Sequence, residues 1–292
     1  MTRRDWLAGA LAGPAVHVPA LVAKTRIRRS SISAITDEIG TTPEEAVSFA
    51  RRYSLEWVEL RGIPGGKGEY AFLSEPEVKA LAANLAANKL KVSFLNTSLL
   101  KFAFPGTEAA RRRQPETADV RARRLEVEAK RFERRMDDLR KAIRTAQILN
   151  VDRLRVFTGL RVAEPRKLFP RIADILGEMA FAAEKEKVQL LIENEASCNV
   201  ATSSEMAALL KLLPSKAIGI NWDPLNETSQ KEVPFPDGYN LLPKKRVGNV
   251  QVKGYALWKG RGNWTGKPSF KRFRKMAIGA GSVSKHTCST VP

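Results

Sequence analysis

Residues 188–195 read VQLLIENE, an apolar run of strand length that ends in three polar residues. Residues 218–224 repeat this arrangement as IGINWDP. Short apolar runs of this kind are typical of parallel strands that are buried on both faces. A carboxylate at the end of such a strand needs a partner, because burying a lone charge is costly. The two stretches therefore predict parallel strands whose ends carry functional polar side chains.

Strands and helices alternate outward from these two stretches. Further strands are predicted at residues 32–35, 57–60, 92–95, 154–157 and 247–252, and helices start at Thr42 and Ser74 and cover about 120–149, 168–185 and 203–213. This alternation is typical of a parallel α/β architecture. No Gly-x-Gly-x-x-Gly motif follows the first strand, so a dinucleotide-binding fold is disfavoured. We therefore predict a (β/α)8 TIM barrel over residues 31–254.

The last strand and helix of that barrel are expected after Lys253, where the sequence resembles neither. Residues 253–292 hold nine Lys and Arg and no acid. Codons that can encode residues 283–291 also encode Gly-Leu-Glu-Thr-His-Leu-Phe-Asp-Gly when the reading frame starts one nucleotide earlier. We therefore expect the last strand and helix to be missing or corrupted. Residues 255–292 are interpreted as an out-of-frame tail, a hypothesis that the nucleotide sequence decides, and a basic tail is the alternative.

Composition excludes several classes of protein. The chain has 292 residues, 43% of them hydrophobic, which excludes wholesale disorder. Its two Cys exclude a disulfide scaffold, and its two His, His17 and His286, leave the body of the chain without imidazole. The net charge of +19 lies mostly at the two ends, since residues 31–252 carry only +5. The charge therefore does not by itself indicate a nucleic-acid partner.

Residues 1–30 resemble an export signal with its linker. Arg3 and Arg4 precede an aromatic residue and a leucine, as in twin-arginine signals, and an apolar stretch covers residues 8–23. Pro14, His17 and Pro19 make that stretch a poor membrane span. The protein is accordingly expected to be periplasmic or secreted, with a basic arm on a cytoplasmic protein as the alternative.

Five motifs make residues 31–253 resemble the sugar phosphate isomerase/epimerase family with its xylose isomerase-like barrel. They are ISAITDEIG at 32–40, WVELR at 57–61, LIEN at 191–194, GINWDP at 219–224 and NVQVK at 249–253. The resemblance implies an isomerase or epimerase that moves a proton through a metal-stabilised enediolate. It also implies a small-molecule sugar or sugar phosphate as substrate and leaves a homo-oligomer open.

The resemblance further implies one divalent metal ion, such as magnesium, manganese or cobalt. Carried over by motif, Glu193 and Asp223 are metal ligands, and Glu193 is also a catalytic residue. Gln251 stands where the family often has histidine, and its amide oxygen suits a hard ion. A glutamate on the eighth strand has no counterpart in this chain. Each of the three also has a structural interpretation: a salt-bridged acid for Glu193, a turn residue for Asp223 and a hydrogen-bonded barrel residue for Gln251.

Further strand-end residues are candidates for substrate binding. Lys253 either binds a substrate oxyanion or pairs with an acid, and Glu59 and Arg61 are expected to form a mutual network. The complete set of substrate-binding candidates is Glu59, Arg61, Asn96, Asn194, Asn221 and Lys253.

Two other functions stay open beside the isomerase. A barrel without its last strand could be a catalytically inactive sugar-binding protein. The same barrel also serves endonuclease-type phosphodiesterases, but these need histidines around several zinc ions, and the barrel body has none. No nucleic-acid partner and no membrane span are therefore expected.

Overall fold

Eight parallel strands form a closed barrel in which each strand pairs with the strands before and after it in the chain. The structure is a computed structural model that describes residues 29–110, 116–253 and 288–290. The strands are β1 Ile32–Ile35, β2 Trp57–Leu60, β3 Lys91–Leu95, β4 Arg153–Val156, β5 Gln189–Glu193, β6 Ile218–Trp222, β7 Val247–Val252 and β8 Cys288–Thr290. The predicted TIM barrel is thereby confirmed.

Helices follow most of the strands, and two of them begin at the caps that the sequence predicts. They are α1 Thr36–Ile39, α2 Pro43–Arg52, α3 Glu75–Ala87, α4 Ala118–Glu133, α5 Arg135–Ile148, α6 Phe169–Lys185, α7 Ser203–Leu210, α8 Pro224–Thr228 and α9 Tyr239–Leu241. The Thr42 side chain accepts a hydrogen bond from the Glu45 backbone, and Ser74 and Glu77 form a capping box. These local signals fix both helix starts as predicted.

The single helix predicted over about 120–149 is wrong, because the structure breaks it at Arg134. Apolar side chains on both sides of the break contact the same hydrophobic core. Phe132, near the end of α4, packs against Phe104, with ring centroids 5.7 Å apart. Leu139 and Ile143 of α5 are buried in the core around the barrel. Neither proline nor glycine marks the bend, so the sequence offers no standard helix-breaking signal there.

The eighth barrel position differs from the sequence expectation. β8 lies inside the range assigned to the tail, and it pairs in parallel with β7 and with β1. Its backbone supplies the hydrogen-bonding partner that both neighbouring strand edges would otherwise lack. The predicted last helix, nearly all of the predicted export signal and the rest of the tail lie outside the described residues.

Strand alternation separates a hydrophobic outer face from a polar interior. On β5 and β6, Leu190, Ile192, Ile220 and Trp222 join the core shared with the helices. The residues between them point into the barrel, where Leu191 closely approaches two glycines of neighbouring strands. Within the described residues, no helix combines the length and apolar character needed to cross a membrane.

Candidate active site at the carboxyl ends of the strands

A buried polar network begins at Glu59, the inward residue of β2. Its carboxylate accepts hydrogen bonds from Ser33 Oγ at 3.1 Å, Asn96 Nδ2 at 2.9 Å and Asn249 Nδ2 at 3.3 Å. These partners belong to β1, to the end of β3 and to β7, so the bonds cross the barrel interior. Glu59 is fully buried. Its carboxylate therefore organises one side of the barrel mouth.

The same network continues to Glu193, the last residue of β5. Asn249 Nδ2 also donates to Asn221 Oδ1 at 3.0 Å, and Asn221 Nδ2 donates to Glu193 Oε2 at 2.8 Å. On the other side, Gln251 Nε2 donates to Asn96 Oδ1 at 3.0 Å. The structure thus brings together five predicted site residues, which are Glu59, Asn96, Glu193, Asn221 and Gln251.

Arg155 on β4 is a site residue that the sequence analysis missed. Its Nη1 donates to Glu193 Oε2 at 3.0 Å, and its Nε donates to the carbonyl oxygen of Thr97 at 3.1 Å. The guanidinium also lies over the Phe157 ring, 4.8 Å from its centroid. An arginine between two outward apolar residues of a buried strand must point inward and find an acid. That alternation was the available signal.

Asp223 follows β6 and is paired with Lys253 beyond the end of β7. Its Oδ1 accepts from the backbone nitrogens of Leu225 and Asn226 and so caps α8. Its Oδ2 lies 2.6 Å from Lys253 Nζ. The Asp223 side chain is fully buried, whereas the Lys253 side chain is 39% exposed. Lys253 was expected either to bind a substrate oxyanion or to pair with an acid, and the structure contains the pairing with Asp223.

Both members of this pair hold their protons more tightly than usual. Burial raises the pKa of Asp223 to about 7, and the charge of Glu193 adds to this rise while Lys253 opposes it. Burial lowers the pKa of Lys253, but the negative charges of Asp223 and Glu193 outweigh it, so the pKa is raised. Lys253 is therefore a lasting positive charge at the barrel mouth.

A second ion pair at the mouth was also missed. Lys101 Nζ lies 3.0 Å from Glu195 Oε2 and sits over the Phe157 ring, 4.6 Å from its centroid. Burial would raise the pKa of Glu195, but Lys101 lowers it overall. Phe157 therefore has a cation from Lys101 and one from Arg155 against its ring. Together these groups extend the charged rim toward β4.

Two predicted substrate-binding residues have structural partners instead. Asn194 Oδ1 accepts from the Asp223 backbone at 2.7 Å, and Asn194 Nδ2 donates to its carbonyl oxygen at 2.8 Å, which fastens the β5 and β6 ends together. Arg61 donates to Asp37 and Glu38. The expected mutual network of Glu59 and Arg61 is wrong, because acids after β1 hold Arg61 while amides hold Glu59.

The predicted metal ligands do not, as arranged, fit a divalent ion. Glu193 is paired with Arg155, Asp223 is paired with Lys253 and caps a helix, and Gln251 turns its amide nitrogen toward Asn96. Among the described residues, no three side chains of His, Cys, Asp or Glu form a group that could hold a metal. Each of the three residues thus has the partner that its structural interpretation required.

A cavity of about 660 Å³ lies at the opposite end of the barrel. It is lined by strand starts and helix ends, including Trp57, Lys91, Asp152 and Val188. The polar network lies instead at the carboxyl ends of the strands, which is where TIM-barrel enzymes place their chemistry. The candidate site is therefore the barrel mouth and not this cavity.

Comparison with protein families identifies the fold family of the chain. The family model described as a xylose isomerase-like TIM barrel matches residues 47–288, a range that contains Glu59, Glu193, Asp223 and Lys253. No curated protein matches the sequence.

Solved structures with the same fold cover most of the chain at low sequence identity. The probable 3-DHS dehydratase AsbF from Bacillus anthracis is 13% identical over 89% of this chain and 92% of its own, with a TM-score of 0.61. A xylose isomerase-like TIM barrel protein from Mycobacterium smegmatis, solved with magnesium, is 14% identical over 88% and 89%, with a TM-score of 0.61. D-allulose 3-epimerase from Methylomonas sp., solved with D-allulose, is 14% identical over 89% and 83%, with a TM-score of 0.60. At these identities the similarity establishes the fold alone.

Proposed function

The chain belongs to the xylose isomerase-like TIM barrel family, and from this premise we propose that it is an isomerase or epimerase of a sugar or sugar phosphate. The observation that carries the proposal is the position of Glu193. This carboxylate ends β5 at the barrel mouth, and one of its two oxygens is held by Arg155 and Asn221. No hydrogen bond from the described residues reaches the other oxygen, Oε1.

In the proposed reaction Glu193 is the base. Its Oε1 takes the proton from the carbon next to the substrate carbonyl. The electron pair of that C–H bond forms a carbon–carbon double bond, and the carbonyl oxygen becomes an enolate oxygen. A proton delivered by water to the other face gives the epimer, and Glu193 then releases its proton to solvent. Return of the proton from Glu193 to the former carbonyl carbon gives the isomer, provided that the hydroxyl proton on the first carbon moves to the enolate oxygen. Arg155 and Asn221 fix the carboxylate for this transfer.

The buried amides of the polar network would bind the substrate hydroxyls. Asn96, Asn221 and Gln251 are buried beside the two carboxylates and already exchange hydrogen bonds with them and with one another. Amides both donate and accept, as hydroxyl groups do, so a polyol can replace individual links in this network without leaving buried groups unpaired. This polar lining favours a sugar over an apolar ligand.

The family resemblance predicts Glu193, Asp223 and Gln251 as ligands of a divalent ion, but their present partners do not fit one. A magnesium ion accompanies one of the similar structures. Since the carboxylates of Glu193 and Asp223 already hold a cation, the proposed proton transfer uses side chains of the protein alone.

Solvent exchange tests the proposal whichever product the reaction forms. The full chain is incubated in deuterium oxide with ketoses, aldoses and their phosphate esters, beginning with D-allulose, and proton NMR follows the hydrogen next to the carbonyl. We expect exchange with at least one sugar and a loss of roughly 100-fold or more in Glu193→Gln. Glu133→Gln, which changes an exposed carboxylate of α4, should match the wild type.

Exchange at the wild-type rate in Glu193→Gln would exclude this residue as the base. Saturable sugar binding without exchange would instead support the catalytically inactive sugar-binding barrel. That alternative is favoured by the ion pair that Glu193 already makes with Arg155.

A further inference from the structure

Lys253 places a cation between a buried carboxylate and the barrel mouth. Its Nζ lies 2.6 Å from the buried Asp223 Oδ2, while its side chain is 39% exposed. The ammonium group therefore lies at the boundary between a buried carboxylate and the barrel mouth. Glu193 and Glu195 are close enough to act on it electrostatically. A cation with this placement can face both the protein and a bound ligand.

Charge balance opposes the addition of a divalent ion beside it. Asp223 and Glu193 contribute two negative charges, and Lys253 and Arg155 already contribute two positive ones. A divalent ion at the two carboxylates would compete with the two cations that these carboxylates already hold, and of the four side chains only that of Lys253 is appreciably exposed. Binding therefore requires that Lys253 leave Asp223.

We propose that Lys253 is the resident cation of this site and replaces the divalent ion of the family resemblance. Held by Asp223, its ammonium group binds the carbonyl oxygen of a polyhydroxy aldehyde or ketone. The catalytic part of this inference rests on the proposed function. There, Nζ–H donates to the enolate oxygen that forms when Glu193 removes the carbon-bound proton, and Lys253 itself neither gains nor loses a proton overall.

Metal titration tests the inference with no substrate present. Manganese(II) is titrated into the full wild-type chain, and free ion is followed by electron paramagnetic resonance. We expect binding weaker than a Kd of about 100 μM. Lys253→Met keeps the side-chain length but frees Asp223, and it should bind manganese roughly tenfold more tightly or better. Lys79→Met removes a lysine from a surface pair with Glu75 at 2.8 Å and should bind as the wild type does.

Wild-type binding of one manganese ion tighter than about 100 μM, lost in Asp223→Asn, would overturn the inference. So would a folded Lys253→Met with unchanged affinity. If Lys253→Met does not fold, the wild-type titration still decides. Because no sugar takes part, failure here is distinct from failure of the isomerase proposal. In the exchange assay, an active wild type should keep its rate in EDTA, and an EDTA-dependent loss restored by manganese would overturn the inference.

Discussion

Arg155 connects the stability of the barrel to its candidate chemistry. Its side chain is 9% exposed and that of Glu193 is 2% exposed, so neither charge can rely on water. The Thr97 carbonyl and the Phe157 ring complete the surroundings of the guanidinium. A buried ion pair of this kind contributes little net stability while it is intact. Removing one member is costly, because the other charge stays buried.

Replacing Arg155 with methionine should therefore destabilise the protein strongly. Glu193 would keep its burial and its bond to Asn221 but lose its countercharge. We expect the free energy of unfolding to fall by about 3–5 kcal/mol, measured by urea denaturation followed by circular dichroism. Arg140→Met is the control, because the Arg140 pair with Asp137 is exposed on both sides and should contribute nothing measurable. Equal midpoints for both variants would contradict this account.

Sequence reasoning located the carboxylates of the site better than their partners. Glu193 and Asp223 were predicted because each is an acid at the end of a short apolar strand and lies in a motif that resembles the family's. Arg155 lies inside a short run, where a charge is equally consistent with a strand edge. Whether Lys253 meets a substrate or an acid depends on how far apart the ends of β6 and β7 lie. That distance belongs to the folded barrel, so no local pattern contained it.

At the scale of single elements, strand packing inside the barrel depends on two glycines. A Cβ on Gly219 of β6 would lie 2.5 Å from Leu191 Cδ2 and 3.0 Å from the Arg246 carbonyl oxygen. Gly248 of β7 leaves similar room for the same leucine. Leu191 therefore fills the barrel below Glu193 only because β6 and β7, the next two strands along the barrel, each carry a glycine at its level.

Gly219→Ala should therefore destabilise the protein by overpacking. We expect a loss of about 1–3 kcal/mol in the free energy of unfolding, since a backbone carbonyl limits relaxation on one side. Gly177→Ala is the matched control, because a Cβ there meets no atom within 4 Å in the middle of α6. That change should stabilise by about 0.5–1 kcal/mol through helix propensity. Thermal and urea unfolding measure both, and a neutral Gly219→Ala would refute the packing argument.

Helix boundaries illustrate which elements the sequence determines locally. The starts of α2 and α3 followed from Thr42 and Ser74, because the cap and the acid that answers it lie within four residues. The break between α4 and α5 at Arg134 had no such signal. Close to it, Phe132 packs against Phe104, which lies 28 residues earlier in the chain. Helix caps could be predicted from neighbouring residues, whereas contacts between residues far apart in the chain could not.

At the scale of the whole molecule, three residues close the barrel. Cys288–Thr290 form β8, with Val250 and Ile32 both in register with Cys288. The strand adjoins β1, whose Ser33 donates to Glu59 in the polar network. Pairing with β8 therefore holds β1 in the barrel, and β1 in turn positions Ser33 at one edge of the candidate site.

Truncation of the chain after Thr287 tests that closure. Loss of β8 would leave the backbone groups of β1 and β7 without their strand partner, and open edges favour pairing between molecules. We expect the Tm to fall by more than about 2 °C, and light scattering to detect self-association. Removing only residues 291–292 keeps β8 and should leave the Tm unchanged. A truncated chain that stays monomeric with the Tm of the full chain would mean that β8 contributes nothing to closure. The seven strands from β1 to β7 would then hold the polar network without it.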